Sequence, residues 1–350
     1  MLEDKNPQLT PISAYGEFGL IKHLTERFSF ENSSTEVSIG DDAAVINPEG
    51  KKVVITTDVL AEGVHFNLGY VPLKHLGYKA VVVNLSDIAA MNATPTQILV
   101  SLAMSNRFPV EALEEIYEGI ALACKHYKVD LVGGDTTSST SGLVMSITAI
   151  GLEDSENIVK RNGAKANDLL VVTGDLGGAY MGLQILEREH SVYLANPDIQ
   201  PEMEGYDYIL ERQLKPEART DIKKTLKELD IQPTSMIDIS DGLSSEILHL
   251  SDQSKVGFHL YEEKVPMDSL TISTAEELNL NPIMCALSGG EDYELLFTIA
   301  PEDFEKIRNH PDFSIIGHAV DLQQGNYLVA RGSNELIPLN AQGWDAFLNK

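Results

Sequence analysis

Carboxylates seated among small residues are the chemical signature of this chain. They occur in Gly40-Asp-Asp42, Thr56-Thr57-Asp58, Asn84-Leu-Ser-Asp87, Gly133-Gly134-Asp135, Thr173-Gly-Asp175, Asp238-Ile-Ser240-Asp241 and Gly289-Gly-Glu291-Asp292, usually just after an apolar run. A carboxylate at a strand end or helix start points into a crevice, and small neighbours let another group approach the backbone. Any one such segment has a plain explanation, since Asp beside Gly or Ser is common in turns and at helix N-caps. Their recurrence along one chain argues for a shared purpose. If these side chains converge, their repulsion requires cations. Oxygen-rich, nitrogen-poor donors suit Mg²⁺, which bridges carboxylates to substrate phosphates. The hydroxyls of Thr56, Thr57 and Ser240 would serve as further ligands or phosphate donors. No HExxH and no paired cysteines occur, which argues against zinc. A GxxxxGK[ST] loop, a GxGxxG fingerprint and a kinase HRD/DFG pair are also missing. Phosphate handling here would therefore rest on metal ions instead of a glycine-rich cradle.

The elements that must position these residues alternate along the chain. β-Branched runs predict strands at 53–57, 98–102, 143–150, 169–173 and 295–299. Leu113, Ile116, Ile120, Cys124 and Tyr127 recur every three or four positions after Pro109, the spacing of an amphipathic helix. The same spacing predicts helices over 17–30 and 240–254. Residues 79–91 are ambiguous, because Ala-Val-Val-Val favours a strand; we read a helix ending near Asn92, with Pro95 as the stop. The mixture indicates an α/β or α+β chain. A polar stretch at 153–167 marks a boundary, giving domains 1–152 and 153–350. A second polar stretch, 187–216, reads as a surface excursion of the later domain. The halves echo each other: Asn84-Leu-Ser-Asp87 then Gly133-Gly134-Asp135, against Asp238-Ile-Ser240-Asp241 then Gly289-Gly-Glu291. Duplication and coincidence both account for that.

Composition narrows the setting. The 350 residues carry 53 Asp+Glu against 26 Lys+Arg, a formal charge of −27, with 43% hydrophobic content. That is the make-up of a globular protein large enough for two cores. So acidic a surface argues against nucleic-acid or anionic-membrane partners. No run approaches the ~20 apolar residues of a membrane helix, and the N-terminus lacks a signal-peptide pattern. Cys124 and Cys285, the only cysteines, lie in apolar stretches and read as reduced core residues of a cytoplasmic protein.

Taken together, these segments resemble a known family. Gly40-Asp-Asp42-Ala, Thr56-Thr57-Asp58 with His65-Phe66 beyond, Asn84-Leu-Ser-Asp87-Ile-Ala-Ala-Met91, Gly133-Gly134-Asp135-Thr-Thr137, Asp238-Ile-Ser240-Asp241-Gly-Leu243 and Ser288-Gly-Gly-Glu291-Asp-Tyr-Glu-Leu295 are similar, in order and over nearly the whole chain, to the thiamine-monophosphate kinases. That family lies in the aminoimidazole-ribotide-synthetase-like ATP-binding superfamily. The resemblance implies two mixed-sheet α/β domains. The first binds ATP and metal and pairs in a homodimer; the second completes the ATP and substrate site. It also implies ATP-dependent conversion of thiamine monophosphate to thiamine diphosphate.

The resemblance further implies roles residue by residue. Asp42, Asp58, Asp87, Asp135 and Asp238 would hold several Mg²⁺ ions around the ATP phosphates, with Thr56 and Thr57 beside them and Asp241 at a further metal position. Gly134, Asp135, Arg161 and Ser240 would contact ATP, with Tyr117 as a nucleotide-side aromatic. His65, Glu291 and Trp344 would lie on the thiamine-phosphate side. Tyr117 also falls on the apolar face of its helix, where core packing explains it; His65 could be an ordinary surface histidine; Trp344 could anchor the C-terminus. No catalytic residue is implied beyond the aspartates. The acceptor is a phosphate oxygen, already anionic near neutral pH, so in-line transfer needs alignment and charge neutralisation more than a base.

Other readings are open to test. Sibling enzymes of the superfamily lack support: the chain ends Phe347-Leu-Asn-Lys350 without a reactive cysteine, its first cysteine is Cys124, and no early glycine-lysine element of a ribotide synthetase occurs. A non-enzymatic ion store or a salt-adapted surface would scatter acid evenly instead of seating it beside Gly, Ser and Thr.

Overall fold

The computed structural model describes residues 9–11, 14–37, 39 and 44–340. It forms two compact units: Met1–Asn84 with Pro95–Leu152, and Leu85–Thr94 with Glu153–Lys350.

The first unit contains α1 (Gly16–Thr25), β1 (Thr35–Val37), β2 (Val45–Ile46), β3 (Lys52–Ala61), α2 (Leu73–Ala90, which runs on into the second unit), β4 (Thr94–Met104), α3 (Val110–Tyr127), β5 (Asp130–Ser138) and β6 (Val144–Glu153). β1 and β2 form a small antiparallel pair; the other strands make a four-stranded sheet in the order β3-β6-β4-β5. On β4 the side chains alternate: Ile98, Val100, Leu102 and Met104 are buried, whereas Leu99, Ser101 and Ala103 are only partly covered. One face of the sheet is therefore packed and the other open. On the edge strand β3 the residues of that open face include Val53, Ile55 and Val59, which are 47%, 64% and 51% exposed.

Helix α2 settles the ambiguous segment. Its Val81-Val-Val83 run has strand propensity, but these residues and Ala80, Leu85 and Ile88 are all buried. A helix apolar on nearly every side is a core helix, and burial overrides local preference. Asn92 ends it in the left-handed region at φ 56°, with Asn92 N–H donating to Ala89 O and Ala93 N–H to Ile88 O. Helices α2 and α3 touch through glycines. A Cβ on Gly119 would lie 1.9 Å from Lys74 O, and one on Gly77 would lie 2.0 Å from Ile116 O.

The second unit contains β7 (Leu169–Thr173), α4 (Gly178–Ala195), α5 (Asp207–Leu214), α6 (Ile222–Glu228), β8 (Ser235–Asp238), α7 (Leu243–Ser254), β9 (Val256–Tyr261), α8 (Ser269–Glu277), α9 (Pro282–Ser288), β10 (Leu295–Ile299), α10 (Phe304–Ile307), β11 (Phe313–Asp321), β12 (Tyr327–Val329) and β13 (Leu336–Pro338). Seven strands form a mixed sheet in the order β13-β12-β9-β11-β7-β10-β8. Its neighbours are antiparallel except β12 and β9. One core gathers Leu243, Ile247 and Leu250 of α7 with Phe258, Leu260 and Leu296 of the sheet. A second gathers Val171, Phe297 and Phe313 with Ile222 and Leu226 of α6 and Ala89 and Ala90 of α2.

Three expectations are corrected. The first helix stops at Thr25 instead of Phe30, where the Thr25 hydroxyl donates back to Ile21 O at 2.8 Å. Helix α7 starts at Leu243, not Ser240, because Gly242 at φ 118° breaks helical geometry. The stretch 187–216 is not merely a surface excursion. Helix α5 packs on α4, with Ile209 and Gln213 buried. Its polarity misled because its polar side chains pair with other buried polar groups.

Among the described residues no helix is long and apolar enough to cross a membrane. Both cysteines are unpaired and buried. Burial pushes the Cys124 thiol up to about 12 and that of Cys285 up to about 11, which leaves them inert near neutral pH.

Candidate active site

In the first unit most of the candidate residues lie on two strands, β3 and β5. Thr56 and Asp58 are half-buried on one face of β3, and Thr57 is exposed on the other. The Thr57 hydroxyl donates to Ile147 O at 3.0 Å and accepts from Thr148 at 3.1 Å, so it serves the ladder to β6. Asn84 of α2 fixes the strand: its Oδ1 accepts the Asp58 N–H at 2.9 Å, and its Nδ2 donates to Ala80 O. That contact satisfies an edge-strand donor and sets the Asp58 backbone. His65 is exposed just beyond β3. Its Nδ1 accepts the Ala61 N–H at 3.1 Å, which leaves Nε2 as the protonated nitrogen of a neutral ring.

Asp135 lies on β5, exposed, with Ser101 opposite it on β4. Gly134 before it needs its small size for the sheet itself, since a Cβ there would lie 1.8 Å from Val100 O. β3 and β5 are the two edges of the sheet, so the fold of this unit holds Asp58 and Asp135 on opposite edges. Tyr117 is 5% exposed in the core, edge-on to Phe28 at 6.4 Å, and burial pushes its hydroxyl up to about 12. Core packing accounts for it. Asp42 and Trp344 lie outside the described residues.

In the second unit several candidates do come together. Asp238 ends β8 and is 4% exposed. It accepts a hydrogen bond from the buried Ser86 hydroxyl at 2.6 Å. Burial, then the charge of Asp87, pushes its carboxyl up to about 7, against the opposing pull of Ser86 and Arg161. Asp241 is likewise raised by burial, and His249 and Arg161 hold it down. Arg161 is thus a cation whose charge acts on both aspartates. Two acidic groups that repel each other, with oxygen-only donors around them, suit a hard divalent cation. Among the described residues no three acidic, imidazole or thiol groups are gathered into a complete ligand set.

The Ser240–Asp241 loop is held from below by Glu246, a residue that sequence reasoning missed. Glu246 Oε1 accepts the N–H groups of Asp241 at 2.9 Å and Ser240 at 3.2 Å. Its other oxygen is buried with no hydrogen-bond partner among the described residues. Burial, with Asp241 and Asp238 nearby, pushes this carboxyl up to about 8 despite the Asp241 N–H.

The Gly289–Tyr293 segment pairs with that loop. Glu291 N–H donates to Ser240 O at 2.7 Å, and Tyr293 N–H donates to Ile239 O at 2.8 Å. Gly290 must be glycine here: its φ is 70°, and a Cβ would lie 2.5 Å from Ser240 O. Glu291 and Tyr293 are left-handed at φ 59° and 52°, a strain the surroundings have to hold. Asp292 is buried and caps α4 through the Gly177 N–H at 2.9 Å. Behind it, Glu294 takes Arg212 at 3.0 Å and Arg219 at 2.7 Å. Arg212 also donates to the carbonyls of Asp175 and Asp292. Neither arginine belongs to an Asp/Gly motif, and nothing in the local pattern could have singled them out.

Comparison with known proteins fits this architecture. Residues 40–152 match the family described as AIR synthase related protein, N-terminal domain. With the paired mixed-sheet units, that sets the class: an aminoimidazole-ribotide-synthetase-like α/β protein. The chain is 33% identical over 337 residues to the thiamine-monophosphate kinase of Bacillus subtilis (strain 168), covering 95% of this chain and 99% of that one. It is 36% identical over 284 residues to the thiamine-monophosphate kinase of Aquifex aeolicus (strain VF5), covering 81% and 85%. The solved structure of AaThiL complexed with AMPPCP and TMP superposes with a TM-score of 0.74 at 32% identity, over 97% of this chain and 100% of that one. The chain belongs to the thiamine-monophosphate kinase family.

Proposed function

We propose that this protein transfers the γ-phosphoryl group of ATP to the phosphate of thiamine monophosphate, giving thiamine diphosphate and ADP. The observation that carries the reading is the likeness, over almost the full length of both chains, to a relative solved with AMPPCP and TMP. The grouping of Asp87, Asp238, Asp241 and Arg161 supports it, because bringing two polyanions together demands dense, well-held charge.

In this reading Asp42, Asp58, Asp87, Asp135 and Asp238 would hold Mg²⁺, with Thr56 and Asp241 adjoining; Thr57, on the opposite face of β3 and bonded to Ile147 O, would not reach it. When bound, the ions neutralise charge on the phosphates of both substrates. Arg161, Gly134 and Ser240 orient the nucleotide, and Ser86 fixes the Asp238 carboxylate. His65, through its Nε2–H, Glu291 as a hydrogen-bond acceptor and Trp344 by stacking hold the thiamine phosphate. A phosphate oxygen attacks in line without a general base and without a phospho-enzyme. The apolar open face of β3 supports a homodimer through this sheet. Pairing two copies would let the Asp135 edge of one approach the Asp58 edge of the other. Two unpaired, buried cysteines support a cytoplasmic setting.

The test is ADP release from ATP and Mg²⁺. Thiamine monophosphate should stimulate it strongly, and free thiamine should not. Stimulation by thiamine or a purine precursor alone would overturn the assignment. Asp87→Asn should lower kcat at least a hundredfold, and full activity in that variant would sink the metal role of Asp87.

A further inference from the structure

Helix α5 carries a polar face that the proposed chemistry does not use. Gln213 on that face is 5% exposed, and its Nε2 donates to Glu291 Oε2 at 2.8 Å. Glu291 itself is half-buried. Its backbone is locked in the left-handed region by the Ser240 carbonyl in front and by Asp292, capping α4, behind. The side chain of a glutamate on such a turn would still rotate about three bonds. A contact that holds one of its carboxylate oxygens comes from Gln213. The neighbouring Arg212 is spent on Glu294 and on the carbonyls of Asp175 and Asp292, so α5 is bolted to the same segment from both residues.

We propose that Gln213 is a positioning residue for substrate recognition: it aims the Glu291 carboxylate at the organic cation end of the substrate. The inference rests on the reading of Glu291 as a substrate contact. The chemistry of the partner matters. A lysine or arginine at 213 would neutralise Glu291 and compete with an amino-bearing ligand. An amide holds the carboxylate in place and leaves its charge available. Gln213 therefore acts on thiamine monophosphate affinity and not on the phosphoryl transfer, which the aspartates serve.

Steady-state kinetics of Gln213→Leu and Gln213→Glu test this, with melting temperatures recorded for both. Gln213→Leu removes the donor. It should raise KM for thiamine monophosphate about tenfold, as expected for loss of one hydrogen bond to a charged group, with kcat and KM for ATP within about twofold of wild type. Gln213→Glu keeps the size but sets two carboxylates together, so its KM should rise further than that of Gln213→Leu. An unchanged thiamine monophosphate KM in Gln213→Glu, or an equal rise of both KM values, overturns the proposal. Glu291→Gln separates the two layers. If it leaves the thiamine monophosphate KM unchanged, the substrate reading of Glu291 fails. If it raises that KM while both Gln213 variants do not, only the role of Gln213 fails.

Discussion

Glu246 shows how much a single buried carboxyl can govern. It holds the Ser240–Asp241 loop by two backbone N–H groups, and its other oxygen has no hydrogen-bond partner among the described residues. Its pKa is raised in the fold, from an ordinary 4.5 to about 8. A group raised in this way favours the folded state fully at low pH, and that contribution disappears as pH climbs through the folded value. Without divalent cations, the melting temperature of the wild type should therefore fall from pH 4.5 to pH 8 more steeply than that of Glu246→Gln. Thermal melts across this range check it; parallel curves would show that Glu246 does not titrate between folded and unfolded states. The residue was invisible in the sequence for a physical reason. Glu246 sits in a run that reads as ordinary amphipathic helix, and only the return of the preceding loop over its first turn makes it an anchor. By contrast, Asp87, Asp238 and Asp241 stood out because carboxylates beside Ser and Gly are conspicuous wherever the chain puts them.

Elements divide along the same line. Strands with strong β-branched runs, such as β7 and β10, were legible because each is a short apolar run buried on both faces. Strand β5 was not, since its Gly-Gly-Asp-Thr-Thr stretch has turn composition and is held by pairing with β4. Helix α5 was missed because its polar side chains looked solvated, whereas Arg212 and Gln213 are largely covered and bonded to Glu294 and Glu291. Glycine spacing also hid a packing rule. Gly119 of α3 rests on the backbone of α2, so Gly119→Ala forces the helices apart and should cost about 1–3 kcal/mol. Gly19 of α1 has only an ordinary 3.7 Å neighbour. Gly19→Ala should be neutral or stabilise by up to about 1 kcal/mol through helix propensity. Chemical denaturation of the two variants measures both, and equal effects would refute the contact argument.

For the whole molecule, the formal charge of −27 looks at odds with a kinase acting on two polyanions. The fold partly resolves this by collecting acid next to Arg161 and leaving much of the rest solvated. The proposed dimer extends the argument. Placing a charge on the open sheet face, as in Ile55→Glu, should shift a homodimer towards monomer in light scattering at micromolar concentration. A wild-type monomer, or a variant that stays dimeric, would count against that face as the interface. The discontinuous make-up of the second unit has a different consequence. Leu85–Thr94 is made early in synthesis, yet its companions lie in the C-terminal part of the chain. Ser86 and Asp238 are separated by 152 residues. At ribosomal speeds of about 5–20 residues per second, Ser86 waits roughly eight to thirty seconds for its partner. The end of α2 therefore reaches its final environment only after most of the chain has been made.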